Sequence, residues 1–563
     1  MKSKRWYLLL ALVFVMSLLL AACNGGKKGV SKEKEEPAKT ENTEATTEET
    51  KKVEEPTPAR EQKLNVNIKT EPPSLHPGLA TDTTSGAVLN QTFEGLMRVN
   101  QQGKVEEAMA EKVEMSEDGL TYTFKIRPNA KWSNGDSVTA KDFEYAWKWV
   151  LDPANAETDY AYQMYMIKGA EAAKEQGGSL DEIGIKVVDD QTLVVELEQP
   201  TAYFLELTAF YTFFPVNHQV VDANKDWAHD VSANYVTNGP FLMDTWKHKD
   251  IIVLKKNPDY WDADTVKLET ITMLMIADEN TAKQMYDQGE LDWLGSPTDS
   301  IPLAAIPAYK NDGSLNISTL AGVYYYAFNT KEAPFTNANI RKAFAMAINR
   351  EGIVTNITQA AQQPAMALVP PSIFAENAKG YFNDNDAEEA KKYLAKGLEE
   401  LGLKELPPVK LSYNTSEAHG AIAQAVQDMW KENLGVSVEL HNEEWAVYLD
   451  SMGAGNFQVG RMGWLADFND AINFLEIFET VGGNNYTNWE NGDYQALLKQ
   501  SRVETDPAAR EELLRKAEAI FMEDLPISPV YYYTNVWANK EYVKNVEVSP
   551  LGLVQYKWGY IEE

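Results

Sequence analysis

A single cysteine, Cys23, in a chain of 563 residues removes disulfides from the ways this protein can be held together. Whatever it folds into must be stabilised by buried apolar cores, and the length allows about three domains at ~150 residues each. The position of the cysteine adds a second constraint. Lys2, Lys4 and Arg5 form a basic head, Trp6 to Ala22 carries no charge, and Ala21 and Ala22 lead directly into Cys23. Basic head, apolar middle and small-residue exit describe a secretory signal over residues 1–22.

Leu20-Ala21-Ala22-Cys23 looks like a bacterial lipobox, in which the thiol receives a diacylglycerol and becomes the mature N-terminus. The other reading of the run is an uncleaved anchor, since it is slightly short of the ~20 residues needed to span a bilayer. A lone cysteine at its exit favours lipidation, with palmitate or a similar acyl group completing the anchor. Both readings put the rest of the protein outside the cytoplasm and tie it to the cell membrane.

Removing the signal takes away three of the 52 bases and none of the 84 acids, so the mature chain stands at −35 rather than −32. That balance excludes a nucleic-acid partner, because binding there rests on Lys and Arg against phosphate. It also leaves membrane attachment to the lipid, where each buried CH2 contributes ~0.8 kcal/mol. Residues 23–62 comprise the lipidated cysteine and a tether. From Asn24 to Gln62 there are ten Glu, seven Lys, one Arg, three Pro and no aromatic residue. A segment so poor in apolar residues stays disordered, and as a flexible coil it reaches roughly 35 Å.

From Lys63 the texture changes. Leu64-Asn65-Val66-Asn67-Ile68 alternates apolar and polar, a half-buried strand. Strand signals recur at 120–126, 192–197, 251–254, 268–275, 323–328, 409–413, 436–440 and 529–533. Thr139 with Asp142, and Asp386 with Glu389, predict helix starts; the second helix should stop near Gly402. Asp506-Pro507 combines a cap with Pro at the first helical position. Ile340, Phe344 and Ile348 form the stripe of a helix packed on a sheet. The mixture predicts an α/β protein with several sheets.

Catalytic signatures are missing: no phosphate loop, no G-x-S-x-G elbow and no H-E-x-x-H pair. The six histidines are scattered, and Asn383-Asp384-Asn385-Asp386 lacks the glycine that a calcium loop needs at its sixth position. No enzyme activity, metal or cofactor is called for. The chain is rich instead in aromatic clusters: Tyr324-Tyr325-Tyr326, Trp445 with Tyr448 and Leu449, and Tyr531-Tyr532-Tyr533. Strand alternation lets at most two rings of each Tyr triplet share a face. Within QVGRMGWLADFND (458–470), Arg461 and Asp467 are isolated charges in an apolar stretch, costly to bury alone. They pair with each other or meet a charged ligand.

These residues carry a specific resemblance. PPSLHPGLA (72–80), QTFEGLMRVN (91–100), NAKWSNGDSVTAKDFEYAWKWVLDP (129–153), NGPF (238–241), NPDYWD (257–262), IRKAFAMAINR (340–350), LSYNTSEAH (411–419), RMGWLADFND (461–470) and PVYYYTN (529–535) occur in order. From about residue 63 to its end the chain resembles the bacterial oligopeptide-binding lipoproteins, receptors of oligopeptide ABC importers (solute-binding protein family 5). The resemblance implies a two-lobed periplasmic-binding-protein type II fold, of Venus-flytrap form, with an extra domain inserted in the first lobe. Lobe I takes 63–96, 216–320 and 530–563, the inserted domain 97–215 and lobe II 321–529, with hinge strands near Leu320 and Pro529.

It further implies a monomeric lipoprotein on the membrane of a Gram-positive bacterium, handing oligopeptides to permease subunits and their ATPases. By matching position, Asp467 holds the peptide α-amine. Arg461, Gly463, Trp464, Asp82, Thr83, Tyr325, Tyr326 and Tyr532 line the cleft along the peptide, and Trp445, His419, Asn485, Tyr160 and Leu449 form side-chain pockets. Cationic family positions after Trp445 fall here on Met452 and Gly453, so the holder of the ligand's C-terminus does not carry over. Receptors for dipeptides, signalling peptides, metal chelates and haem share the fold and stand as alternatives.

Replacing the cysteine (Cys23→Ser) should abolish incorporation of a labelled fatty acid, because no other side chain can form the thioether. Label persisting in the variant contradicts lipid anchoring.

Overall fold

The alternating segment after the tether forms a strand over Lys63–Asn67, with Leu64 and Val66 fully buried. It pairs in parallel with Thr270–Leu274, which pairs antiparallel with Ile251–Lys256, itself set against Phe241–Lys247. In this computed structural model residues 60–101, 104–231 and 235–562 are described, all within one unit, Ala59–Glu563. The signal, Cys23 and the tether through residue 59 lie outside the described residues. Gln62, read as the last residue of the tether, exchanges two hydrogen bonds with the Ile561 backbone at 2.8 and 3.0 Å.

A second sheet of four antiparallel strands has the order Ala110–Met115, Thr121–Ile126, Thr192–Glu196, Ile185–Asp189. Helix Ala140–Leu151 packs on it. Its start carries the expected capping box between Thr139 and Asp142, and Phe143, Trp147 and Val150 are buried. The loop after this helix brings Tyr160 to the site just before the turn Ala161–Met164.

The third sheet is the largest, with spatial order Trp293–Gly295, Ile527–Asn539, Asn316–Phe328, Val459–Leu465, Val409–Asn414, Val438–Glu443, and Gln363–Pro364 beside Ile527–Asn539. Its two 13-residue strands, Asn316–Phe328 and Ile527–Asn539, run antiparallel, and their register breaks between Thr319 and Val323. Alternation sorts the tyrosines as expected. Tyr324 and Tyr326 join an apolar cluster on one face with Phe344, Trp430 and Ile340, whereas Tyr325 points to the other.

Helix Ala338–Met346 buries Ile340 and Phe344 in that cluster; Ile348, the third residue of the stripe, is equally buried but lies past the helix end. Asp386 caps Ala387–Leu401, and Gly402 closes it in the left-handed region at φ 68°, a conformation that favours glycine. Asp506 caps Pro507–Asp524. In the Asn-Asp-Asn-Asp run, Asp386 is the helix cap and Asp384 bonds the fully buried Arg350 at 3.1 Å. Arg350 also donates to the Pro529 carbonyl at 2.7 Å, fixing the start of the long strand that reaches the site.

Candidate functional site

Strand Val459–Leu465 ends in Ala466-Asp467, and these residues form the floor of a cavity of about 430 Å³. The strand pairs along its whole length with Asn316–Phe328. On its other edge, among the described residues, it pairs with Val409–Asn414 only at Val459 and Gly460. From Arg461 onward no strand among the described residues lies beside that edge, and residues 461–467 line the cavity.

Asp467 is half-buried in the cavity wall. Its Oδ2 accepts from Gln163 Nε2 at 2.7 Å and from Asn473 Nδ2 at 3.3 Å, and its Oδ1 faces the Tyr160 hydroxyl at 3.5 Å. Asn473 is the local organiser: its Oδ1 accepts both the Trp464 indole N–H at 2.9 Å and the Asp467 backbone N–H at 3.0 Å. Among the described residues no cation pairs with Asp467. Burial therefore pushes its pKa up to about 7, against the opposing pull of Asn473, Gln163 and Tyr160.

Arg461 is not the missing cation. Its guanidinium donates to Asn414 Oδ1 at 3.3 Å and to the Tyr533 hydroxyl, and sits 4.7 Å from the Tyr324 ring centroid. Its Nε is buried without a partner. Of the two alternatives left open for these charges, direct pairing is not what the structure shows. Gly463 makes room for the tyrosine, since a Cβ there would lie 2.5 Å from the Tyr533 hydroxyl. His419 stands nearby, 5.5 Å from Tyr324. Burial first, then the charges of Arg461 and Lys69, hold its imidazole well below the ordinary value and so neutral.

The opposite wall is the N-terminus of helix Thr83–Thr92, where Asp82 accepts from the Thr84 and Ser85 N–H groups at 3.0 and 3.1 Å. Trp445 and Leu449, one turn apart on helix Trp445–Gly453, line the cavity together, and Tyr160 closes its far end with its ring edge-on to Trp464 at 6.2 Å. Of the expected site residues, Asp82, Thr83, Tyr160, Tyr325, His419, Trp445, Leu449, Arg461, Gly463, Trp464 and Asp467 line one cavity.

Three expected cleft residues are elsewhere. Tyr326 lies on the opposite sheet face, fully buried against Tyr324 and Trp430, because it alternates with Tyr325. Tyr532 shares the Tyr325 face but donates its hydroxyl to the Ala367 carbonyl at 3.3 Å, away from the cavity, and its neighbour Tyr533, on the Tyr324 face, lines the cavity instead. Asn485 is committed to its own loop, donating to the Thr480 and Trp489 carbonyls at 2.8 and 3.0 Å, while Asn484 lines the cavity. Met452 is a core residue whose sulfur would touch any Cβ at Gly460. Lys69 and Asp299 line the cavity without having been singled out, and Gln163 and Asn473 hold its acid from behind.

A model of the bacterial extracellular solute-binding proteins, family 5 (middle portion), matches residues 104–486. The chain belongs to that family. Over 566 aligned residues it is 52% identical to the oligopeptide-binding protein OppA of Bacillus subtilis, covering 100% of both chains. It superposes on Haemophilus influenzae OppA in complex with RPPGFSPFR with a TM-score of 0.83, at 31% identity over 90% of this chain and 100% of that one. Escherichia coli murein tripeptide binding protein MppA fits with a TM-score of 0.84 at 32% identity, covering 90% of this chain and 99% of MppA. Its unliganded open form reaches only 0.61 at the same identity, with 89% and 98% covered. The family-5 fold of this chain is thus the two-lobed periplasmic-binding-protein type with an inserted domain, in an arrangement other than that open form. Among the described residues, no helix is long and apolar enough to cross a membrane.

The raised pKa of Asp467 fixes a pH dependence. A carboxyl that binds its proton more tightly folded than unfolded loses stabilisation as pH rises from its ordinary value near 4 to about 7. Asp467→Asn removes that loss, since an amide can keep the Gln163 bond and turn its NH2 to the Tyr160 oxygen. The ligand-free variant should therefore be more stable than wild type at pH 8. That advantage should shrink by roughly 1.4 kcal/mol per pH unit below 7 and vanish near pH 4. Denaturant titrations across this range that show a constant difference contradict an unpaired, desolvated carboxylate.

Proposed function

We propose that this chain is a receptor that encloses oligopeptides in the cavity and delivers them to an ABC import permease and its ATPases. Its body would be held at the extracytoplasmic face of the cell membrane by diacylglyceryl-Cys23 and act as a monomer. The observation that carries the reading is Asp467: a half-buried carboxylate in the cavity wall, desolvated, held by three neutral donors and, among the described residues, without a cation. A peptide α-ammonium supplies the charge it lacks. The unpaired edge from Arg461 onward suits a main chain laid alongside, and main-chain bonds are shared by every peptide sequence. The peptide held by the Haemophilus relative supports the same ligand class.

Lobe I is assigned to 63–96, 216–320 and 530–563, the inserted domain to 97–215 and lobe II to 321–529. The chain then crosses between lobes on the two long strands, where the register breaks beside Leu320. Hinge closure there would bring Gln163 and Tyr160 of the inserted domain against Asp467 of lobe II.

Acetylating a peptide's N-terminus should weaken binding sharply, and so should Asp467→Ala, each by an amount of the order of 3–5 kcal/mol for one broken buried pair. The two losses should not add: once Asp467 is gone, removing the ammonium relieves part of the penalty. Calorimetry on the four combinations checks this, and strictly additive losses would mean that another group holds the amine.

A further inference from the structure

The loop that carries Asp467 is gripped from across the cleft at three consecutive residues. Asp467 takes the Gln163 hydrogen bond at 2.7 Å. The Phe468 ring lies stacked on Tyr203, with centroids 4.4 Å apart and planes at 12°. The Asn469 N–H donates to Glu206 Oε2 at 3.2 Å. Gln163, Tyr203 and Glu206 belong to the segment assigned to the inserted domain, whereas 467–469 belong to lobe II. Tyr203, Glu206, Phe468 and Asn469 do not line the cavity, so the second and third contacts touch no ligand.

Each side of this contact is anchored in its own body. Tyr203 precedes the short helix Phe204–Leu207, and Phe204 is fully buried against Tyr122 and Phe124 of the four-stranded sheet, with ring centroids at 4.8 and 6.3 Å. Phe204 thus holds the segment to the inserted domain, and Tyr203 beside it meets lobe II. On the other side, Asp470 forms a two-point ion pair with Arg510 at 2.8 and 3.0 Å, tying the loop to helix Pro507–Asp524. The same guanidinium lies 6.0 Å from the Tyr203 ring centroid. Tyr203 is 8% exposed and Phe468 fully buried, so parting the two rings returns two aromatic faces to water.

We propose that Tyr203, assisted by Glu206, is the latch by which the inserted domain keeps the cleft shut, and that it sets how long a peptide stays rather than how fast it arrives. The proposal rests on the peptide reading and the hinge assignment above, and gives the inserted domain a task beyond lining the cavity. A contact that touches no ligand stabilises the closed state by the same amount for every peptide, so it adds retention without sequence preference. Peptide enters and leaves through the open cleft. Weakening the latch raises the open fraction of the complex and hence the release rate, whereas association precedes latching and does not slow.

Stopped-flow fluorescence of Trp445 and Trp464, which line the cavity, reads uptake and release of tetra-alanine. Tyr203→Leu should release the peptide about tenfold faster, as loss of a stacked aromatic pair gives, with association no slower than in wild type. Tyr203→Phe, which keeps the ring, should match wild type to within about twofold. Phe468→Leu should speed release as Tyr203→Leu does, and the double variant no further, since both remove one contact. Glu206→Ala removes only a rim hydrogen bond and should speed release about threefold; it carries the test if the ring variants do not fold. Unchanged release in Tyr203→Leu or Glu206→Ala overturns the latch, as do an equal gain in Tyr203→Phe and gains that multiply in the double variant. Slower association in Tyr203→Leu would mark a merely structural residue and overturns it too. The ratio of release rates between Tyr203→Leu and wild type should be the same for N-acetylated tetra-alanine, which separates failure here from failure of the amine contact. Tetra-alanine that gives no signal with wild type removes the peptide reading and the latch together.

Discussion

A half-buried, desolvated carboxylate with no cation beside it among the described residues is the constraint from which the site follows. Asp467 follows a strand whose outer edge is unpaired from Arg461 onward, and among the described residues only neutral groups, Gln163, Asn473 and Tyr160, reach it. Such an arrangement is costly for an empty protein at neutral pH and favourable for one that has taken up a positive charge. The positioning is elaborate: Asn473 fixes the Trp464 ring, the Asp467 main chain and the Asp467 side chain at once. A site held this rigidly for a charge favours a ligand group of constant chemistry, which a peptide amine is.

The rest of the cavity follows different physics at each wall. Around Arg461 the partners are tyrosines and an asparagine, so the guanidinium keeps its charge without a carboxylate to cancel it. At the Trp445 and Leu449 wall the contacts are apolar and adaptable. The large sheet ties these walls together, because its two long strands bring Tyr325 from one face and Tyr533 from the other to the cavity, while Tyr324, Tyr326 and Tyr531 stay packed in the apolar cluster that Tyr533 adjoins.

Much of this was legible in the sequence, and the misses have physical causes. Caps and alternation were readable because they are local: Thr139, Asp386 and Asp506 begin helices as expected, and the isolated Arg461 and Asp467 marked the site. Alternation also limited each Tyr triplet to two rings per face, but it does not say which rings reach a cavity that Tyr325 meets from one face and Tyr533 from the other; Tyr326 is packed on the far side and Tyr532 is drawn off by its bond to Ala367. Asn484 and Asn485 are indistinguishable in sequence, and a loop bond to Trp489 decides between them. Gln163, Lys69 and Asp299 come from separate segments, so nothing short of the fold brings them to one cavity.

The account turns on the protonation state of Asp467, which infrared difference spectroscopy reads directly. In ligand-free protein at pH 6, with aspartate isotopically labelled and Asp467→Asn as the reference, a protonated-carboxyl band should be present. Adding tetra-alanine should replace it with ionised-carboxylate bands, while the N-acetylated peptide leaves it in place. A carboxylate already ionised before the peptide arrives, or one still protonated in the complex, would contradict the claim that Asp467 waits for a peptide's positive charge.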